Sequence, residues 1–144
     1  MRSGFYVCPI CGNVIHSMGE AVINCHGLLL KPCEADEPDA RHKIFIWKSE
    51  NEYFVRIEHD MTKHHYISFM AALSPDRLQM VKLYPEGNAE ARFTMEGVKR
   101  IFFYCNRDGL FRIDPVRGID DRDLAYDDTQ NRRELEKTVK IIFG

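Results

Sequence analysis

From residue 43 onward, short apolar runs alternate with turn signals. Lys43–Lys48 (KIFIWK) and Glu52–Glu58 (EYFVRIE) flank Ser49-Glu50-Asn51, the pattern of a β-hairpin. Tyr66–Leu73, Leu78–Tyr84, Ala91–Met95, Lys99–Asn106 and Leu110–Ile113 follow. Ser74-Pro75-Asp76, Pro85-Glu86-Gly87-Asn88, Glu96-Gly97 and Asp108-Gly109 break the chain between them. Runs such as KIFIW and RIFFY are apolar at consecutive positions, as a strand covered on both faces requires. About seven short strands at this spacing, with no long helical period, predict a β-sandwich.

Upstream the pattern differs. Phe5-Tyr6-Val7 predicts a short strand leading into Cys8-Pro9-Ile10-Cys11-Gly12, where Gly12 supplies the backbone freedom of a chelating turn. Ala21–Asn24 predicts a second short strand, followed by Cys25-His26-Gly27. This is the layout of a two-knuckle metal ribbon. Residues 34–41 (EADEPDAR) are acidic, lack apolar periodicity and predict a linker. Beyond Pro115, 118–131 is a strongly charged loop, and 132–143 predicts a short helix with Leu135, Val139 and Ile142 on one face. The chain thus divides into a ribbon (1–36), a sandwich (37–115) and a charged C-terminal extension (116–144), and its fold class is mainly β.

Composition narrows the partners. The 144-residue chain carries a net charge of −2, with Lys and Arg spread along it. A nucleic-acid protein usually shows a basic face, so none is expected as a partner. No apolar run approaches the roughly 20 residues that cross a bilayer, and the start lacks a signal peptide's apolar centre. A cytoplasmic protein with no membrane partner is expected. Five cysteines cannot all pair internally, and in a reducing compartment they are metal ligands or free thiols.

Two groups of residues carry metal chemistry. In the ribbon, a CxxC turn aims Cys8 and Cys11 at one ion, and Cys25 comes from the second knuckle. The fourth ligand is His26, completing an ordinary Cys₃His zinc set, or Cys33 if the chain folds back after Leu28-Leu29-Leu30, with His16 a more distant choice. Imidazole in place of a thiolate favours zinc over a redox iron, and such a metal holds a tiny ribbon folded. An iron there would instead relay electrons. The second group is His59 and His65, six positions apart across a turn, with Cys105 and Asp108 near a glycine turn. His64 alone reads as an exposed loop histidine. An Asp-Gly pair such as Asp108-Gly109 is also an ordinary turn.

Over residues 5–115 the sequence resembles the desulfoferrodoxin and superoxide reductase family. A CPICGN ribbon is followed, in the family's order, by Arg41-His42, then HDMTKHHYI (similar to HPM-x₃-HYI), then YCNRDGLF (similar to YCN-x-HGL). The resemblance implies a desulforedoxin-like ribbon before an immunoglobulin-like sandwich. It implies a mononuclear iron bound by four histidines and an axial cysteine, reducing superoxide by one electron to hydrogen peroxide. His42, His59 and His65 match three of those histidines and Cys105 matches the thiolate. Asp108 stands where the fourth histidine would be, either as a ligand or with water filling its place. Ala40-Arg41 replaces the family's Glu-Lys, leaving Arg41 as the cation that would steer the superoxide anion. Asp60 replaces the proline after His59. A rubredoxin-like electron donor and a homodimer are further implications.

Two other functions fit parts of this pattern. The Asp108 and Ala40 departures suit a catalytically degenerate relative that senses metal or redox state, or is purely structural, since fold alone does not carry function. The ribbon alone suits a zinc-ribbon interaction module.

Overall fold

The structure, a computed structural model, describes residues 4–115; the predicted loop at 118–131 and helix at 132–143 lie outside the described residues. The chain forms two compact units, Met1–Glu34 and a second that begins at Ala35.

The first unit is two small hairpins. Strand β1 (Gly4–Val7) pairs antiparallel with β2 (Val14–Ser17), and β3 (Ile23–Cys25) with β4 (Leu28–Leu30). Each hairpin turn is a knuckle. In the first, Gly12 N–H donates to the Cys8 carbonyl at 2.8 Å, and Gly12 takes φ +73°. In the second, His26 (φ +53°) and Gly27 (φ +78°) both adopt the left-handed region that a two-residue hairpin turn needs. That turn sets the register, so the strand expected over 21–24 lies at 23–25, with Cys25 opposite Leu28. Tyr6, Cys8 and Leu30 are the buried residues of its core, with Ile15, Ile23 and Cys25 packed against them.

The second unit is a sandwich of two sheets. One has the order β10-β7-β6: Glu90–Thr94, Glu52–Glu58 and Lys43–Ser49. The other has the order β5-β12-β11-β8-β9: Ala35–Asp36, Gly109–Ile113, Arg100–Cys105, Ile67–Leu73 and Leu78–Lys82. Every apolar run predicted from residue 43 onward is a strand, displaced by no more than two residues at either end. The stretch read as a linker differs. Ala35 and Asp36 pair in parallel with Leu110 and Phe111, because the edge of β12 offers backbone groups that need partners.

The core lies between the sheets. Ile44, Ile46 and Val55 from one face Met70, Ile101 and Phe103 from the other, and Phe103 stacks on Phe111 at 5.1 Å. Consecutive apolar residues are explained on the outer faces. Phe45 and Trp47 point away from the core yet are buried: Arg56 lies over the Phe45 ring at 5.1 Å, and Phe54 packs on Trp47. On the other sheet Phe69 stacks on Tyr104 at 5.6 Å.

One irregularity positions the functional end. Tyr104 pairs with Phe69, but Cys105 pairs with Ile67, so Ser68 is an extra residue in a bulge. The bulge turns Ile67 onto the core side, and Cys105 continues the inward face of Ile101 and Phe103. No helix is present among the described residues, and therefore none there is long and apolar enough to cross a membrane.

Phe103→Ala should lower the stability of the second unit by about 3–5 kcal/mol, because it removes a fully buried ring that its neighbours cannot replace. Chemical denaturation measures this. Arg77→Ala, which removes an exposed ion pair to Asp76, should shift stability by less than about 1 kcal/mol.

Candidate metal centres

Antiparallel pairing brings alternate strand ends together, and one end of the sandwich collects the second group of candidates. His42 directly precedes β6 and His59 directly follows β7, one step beyond the Lys43–Glu58 pair. His65 lies just before β8, Cys105 closes β11, and Asp108 sits in the turn into β12. Both sheets therefore contribute. One donor atom from each of His42, His59, His65, Cys105 and Asp108 lies within 4.8 Å of all the others.

The contacts centre on Asp108 and Cys105. Asp108 Oδ2 is 3.0 Å from His42 Nε2, 3.3 Å from His65 Nε2 and 3.5 Å from Cys105 Sγ. Cys105 Sγ is 3.5 Å from His59 Nε2. Hydrogen bonds at the far side of two rings assign their tautomers. His42 Nδ1–H donates to Asp39 Oδ1 at 2.7 Å, and His59 Nδ1–H donates to the Asp60 carbonyl at 2.5 Å. Both rings thereby turn Nε2 toward the cluster. The His42 ring is fully buried and stacks on Phe111 at 4.4 Å; His59 and His65 meet edge to face at 4.5 Å.

The fit of a metal ion can be tested on His42. Its Nε2 is close to Asp108 but off the line of a hydrogen bond, so this buried nitrogen has no hydrogen-bond partner. Metal–nitrogen and metal–sulfur bonds of about 2.1 and 2.3 Å at right angles place neighbouring donors roughly 3 Å apart. The observed spacings of 3.0–3.5 Å match a shell around a common ion. Three imidazoles, a thiolate and a carboxylate suit a transition-metal ion.

The electrostatics suit a cation as well. Burial pushes the Cys105 thiol up, against backbone N–H groups of Arg107 and Asp108 that pull it down. Burial pushes His59 down, favouring neutral imidazole. For Asp108 burial acts upward, but hydrogen bonds with Cys105 and His65 and the charges of His42 and Arg41 outweigh it and hold the carboxyl below its usual range. Arg41 itself is exposed.

Asn106 fastens the histidine loop to the cysteine strand. Its side chain accepts from Tyr66 N–H at 2.9 Å and donates to the His64 carbonyl at 3.0 Å, and its own N–H donates to the Tyr66 carbonyl at 3.1 Å. Arg107 Nε donates to the same His64 carbonyl at 3.1 Å. His64 thus contributes its backbone, while the residue is exposed. Asp39 and Asn106 were not singled out from the sequence. Asn106 directly follows Cys105, but nothing in its spacing tells of a contact 40 residues away. Asp39 sits in the stretch read as a linker; its signal was an Asx residue three positions before a histidine.

In the first unit, Cys8, Cys11, Cys25 and His26 form a second group within 4.8 Å. His26 Nδ1 is 3.3 Å from Cys25 Sγ and 3.8 Å from Cys8 Sγ, and Cys11 and Cys25 sulfurs are 3.6 Å apart. The structure does not bring Cys33 or His16 into this group. Cys33 N–H donates to the Phe5 carbonyl and burial raises its thiol, while the His16 ring packs on Phe5 at 4.9 Å. The Cys11 N–H, the largest influence, lowers Cys8 to about 6, whereas sharing protons with Cys8 and Cys11 raises Cys25 to about 12. An incoming cation must displace the Cys25 proton, so binding tightens as pH rises and weakens as it falls.

No family model matches the chain. A desulfoferrodoxin from Clostridium acetobutylicum is 33% identical over 82 residues, 55% of this chain and 66% of the relative's length. A desulfoferrodoxin from Desulfarculus baarsii is 29% identical over 120 residues, 77% of this chain and 95% of that one. The superoxide reductase from Treponema pallidum has the same fold, with a TM-score of 0.69 at 18% identity, covering 78% of this chain and 98% of that structure.

If Cys8, Cys11, Cys25 and His26 hold a metal ion, chelating it should unfold residues 4–33, because so small a core cannot hold alone. NMR spectra before and after chelation would show dispersion lost for this unit, and lost sooner at pH 5.5 than at pH 8.

Proposed function

We propose, on the premise that the chain belongs to the desulfoferrodoxin and superoxide reductase family, that the sandwich holds a mononuclear iron through His42, His59, His65, Cys105 and Asp108 and reduces superoxide to hydrogen peroxide. The observation that carries this reading is the convergence of five donor atoms, one of them the unpartnered, buried Nε2 of His42. Bound iron supplies the one-electron couple; superoxide takes that electron and two protons from solvent to become hydrogen peroxide.

The chain's own residues set the conditions. Cys105 brings a buried thiol that burial keeps protonated; a bound cation would displace that proton, and the N–H groups of Arg107 and Asp108 would then help hold the thiolate. Asp108, in place of a neutral imidazole, adds negative charge, favours the more oxidised metal and lowers its potential. Ala40 carries no carboxylate to compete for an open coordination position. Arg41, exposed and close enough for its charge to act on Asp108, attracts the anion over a screening length of about 8 Å at physiological salt. A rubredoxin-like protein is the matching electron donor and a homodimer the matching assembly. The ribbon suits zinc in a structural role, since His26 replaces a thiolate.

Ala40 and Asp108 also favour a second reading, in which the centre binds metal but no longer turns over superoxide. One experiment separates the two. Protein purified without oxygen should contain stoichiometric iron, show a thiolate-to-iron charge-transfer band on oxidation that Cys105→Ser abolishes, and consume superoxide faster than free iron. Iron with its band but without superoxide consumption would leave the degenerate reading. Asp108→His should raise the reduction potential. Asp108→Ala should weaken iron binding by more than the about 10–100-fold that loss of a supporting partner costs.

A further inference from the structure

We infer that Asp39 is a positioning residue for the sandwich centre: it fixes the tautomer and orientation of His42 and adds a second carboxylate charge behind that ring. The inference rests on the metal-centre reading above and extends it to a residue outside the five donors.

The geometry is specific. Asp39 Oδ1 accepts two hydrogen bonds at once, from His42 Nδ1–H at 2.7 Å and from the Arg41 backbone N–H at 2.9 Å. The Asp39 carbonyl accepts the His42 N–H at 3.1 Å. The four residues Asp39–His42 therefore close a turn whose first side chain grips the ring of its last residue. Because Arg41 N–H already holds the carboxylate in place, little side-chain freedom remains to be lost when it meets the imidazole. The ring is fully buried, stacked on Phe111, and its remaining nitrogen faces the donor cluster without a partner. Only the tautomer with a proton on Nδ1 leaves Nε2 free for a metal. Asp39 is the group that holds it.

The charge matters separately from the orientation. A carboxylate accepting the second N–H of a ligating histidine makes the ring a stronger donor. With Cys105 and Asp108 in the shell, Asp39 would be a further anion acting on the same ion. Its own carboxylate remains 46% exposed, so it sits between solvent and a buried ligand.

Two variants separate these roles. Asp39→Asn keeps an oxygen acceptor for Nδ1–H and keeps the Asx turn, but removes the charge. Asp39→Ala removes both. For zinc-loaded protein, ¹⁵N NMR of the His42 ring should show the Nδ1–H tautomer in the wild type and in Asp39→Asn, with that proton lost or exchanging in Asp39→Ala. Iron affinity, measured by chelator competition, should fall about 10–100-fold in Asp39→Ala and only a few-fold in Asp39→Asn. The reduction potential of the iron-loaded centre should rise in Asp39→Asn, which a merely structural turn residue would not cause. An Nε2–H tautomer in the wild type overturns the inference, as does a potential in Asp39→Asn equal to that of the wild type. If iron does not enter the cluster at all, the metal-centre reading fails, and the ring tautomer still decides whether Asp39 positions His42.

Discussion

A fully buried imidazole nitrogen without a hydrogen-bond partner costs about 1–3 kcal/mol, and the second unit carries one at His42. A folded chain tolerates such an atom when something else meets it. Around it stand two more imidazoles, a thiol and a carboxylate, none from the same strand end. The rest of the sandwich can be read as the frame this arrangement needs. Antiparallel pairing gathers the ends, the alternation of β11 sets the inward face on which Cys105 lies, the bulge at Ser68 turns Ile67 inward opposite it, and the Asn106 bonds tie the loop of His65 to the turn of Asp108.

Much of the fold was legible in the chain. Strands β6–β12 are long enough to declare themselves by apolar runs and breakers, and KIFIW and RIFFY announced burial on both faces. What escaped notice was short. β2 and β4 have only four and three residues, and β5 has two, so no periodicity can form within them. Their pairing is imposed by knuckle turns and by an open sheet edge, which are properties of the folded backbone. The register of β3 followed the turn at His26-Gly27 rather than the apolar pair Ala21-Val22, and Val22 is left largely exposed.

The candidate donors were legible for a different reason. Cysteines and histidines are scarce, so their spacing stands out even across 60 residues. Supporting residues are common types, and what distinguishes Asp39 or Asn106 is which atom they reach. Asp39 reads as one acid among several in an acidic stretch, and only the 2.7 Å contact with His42 separates it from Asp36 or Glu37. The choice between His26 and Cys33 was likewise open in the sequence; the left-handed turn at His26 brings its Nδ1 to the sulfurs, whereas Cys33 is tied through its backbone to Phe5.

The centre takes His42 and His59 from the end of one sheet, and His65, Cys105 and Asp108 from the end of the other. Two stacked sheets are held mainly by apolar contact, which is non-directional and resists separation better than sliding. An ion bonded to both would act as a rivet through the pair at one end. It would fix their relative offset. Loss of the ion would then be felt first as shear between the sheets, in the packing of Phe111 against His42 and Phe103, before any strand came apart.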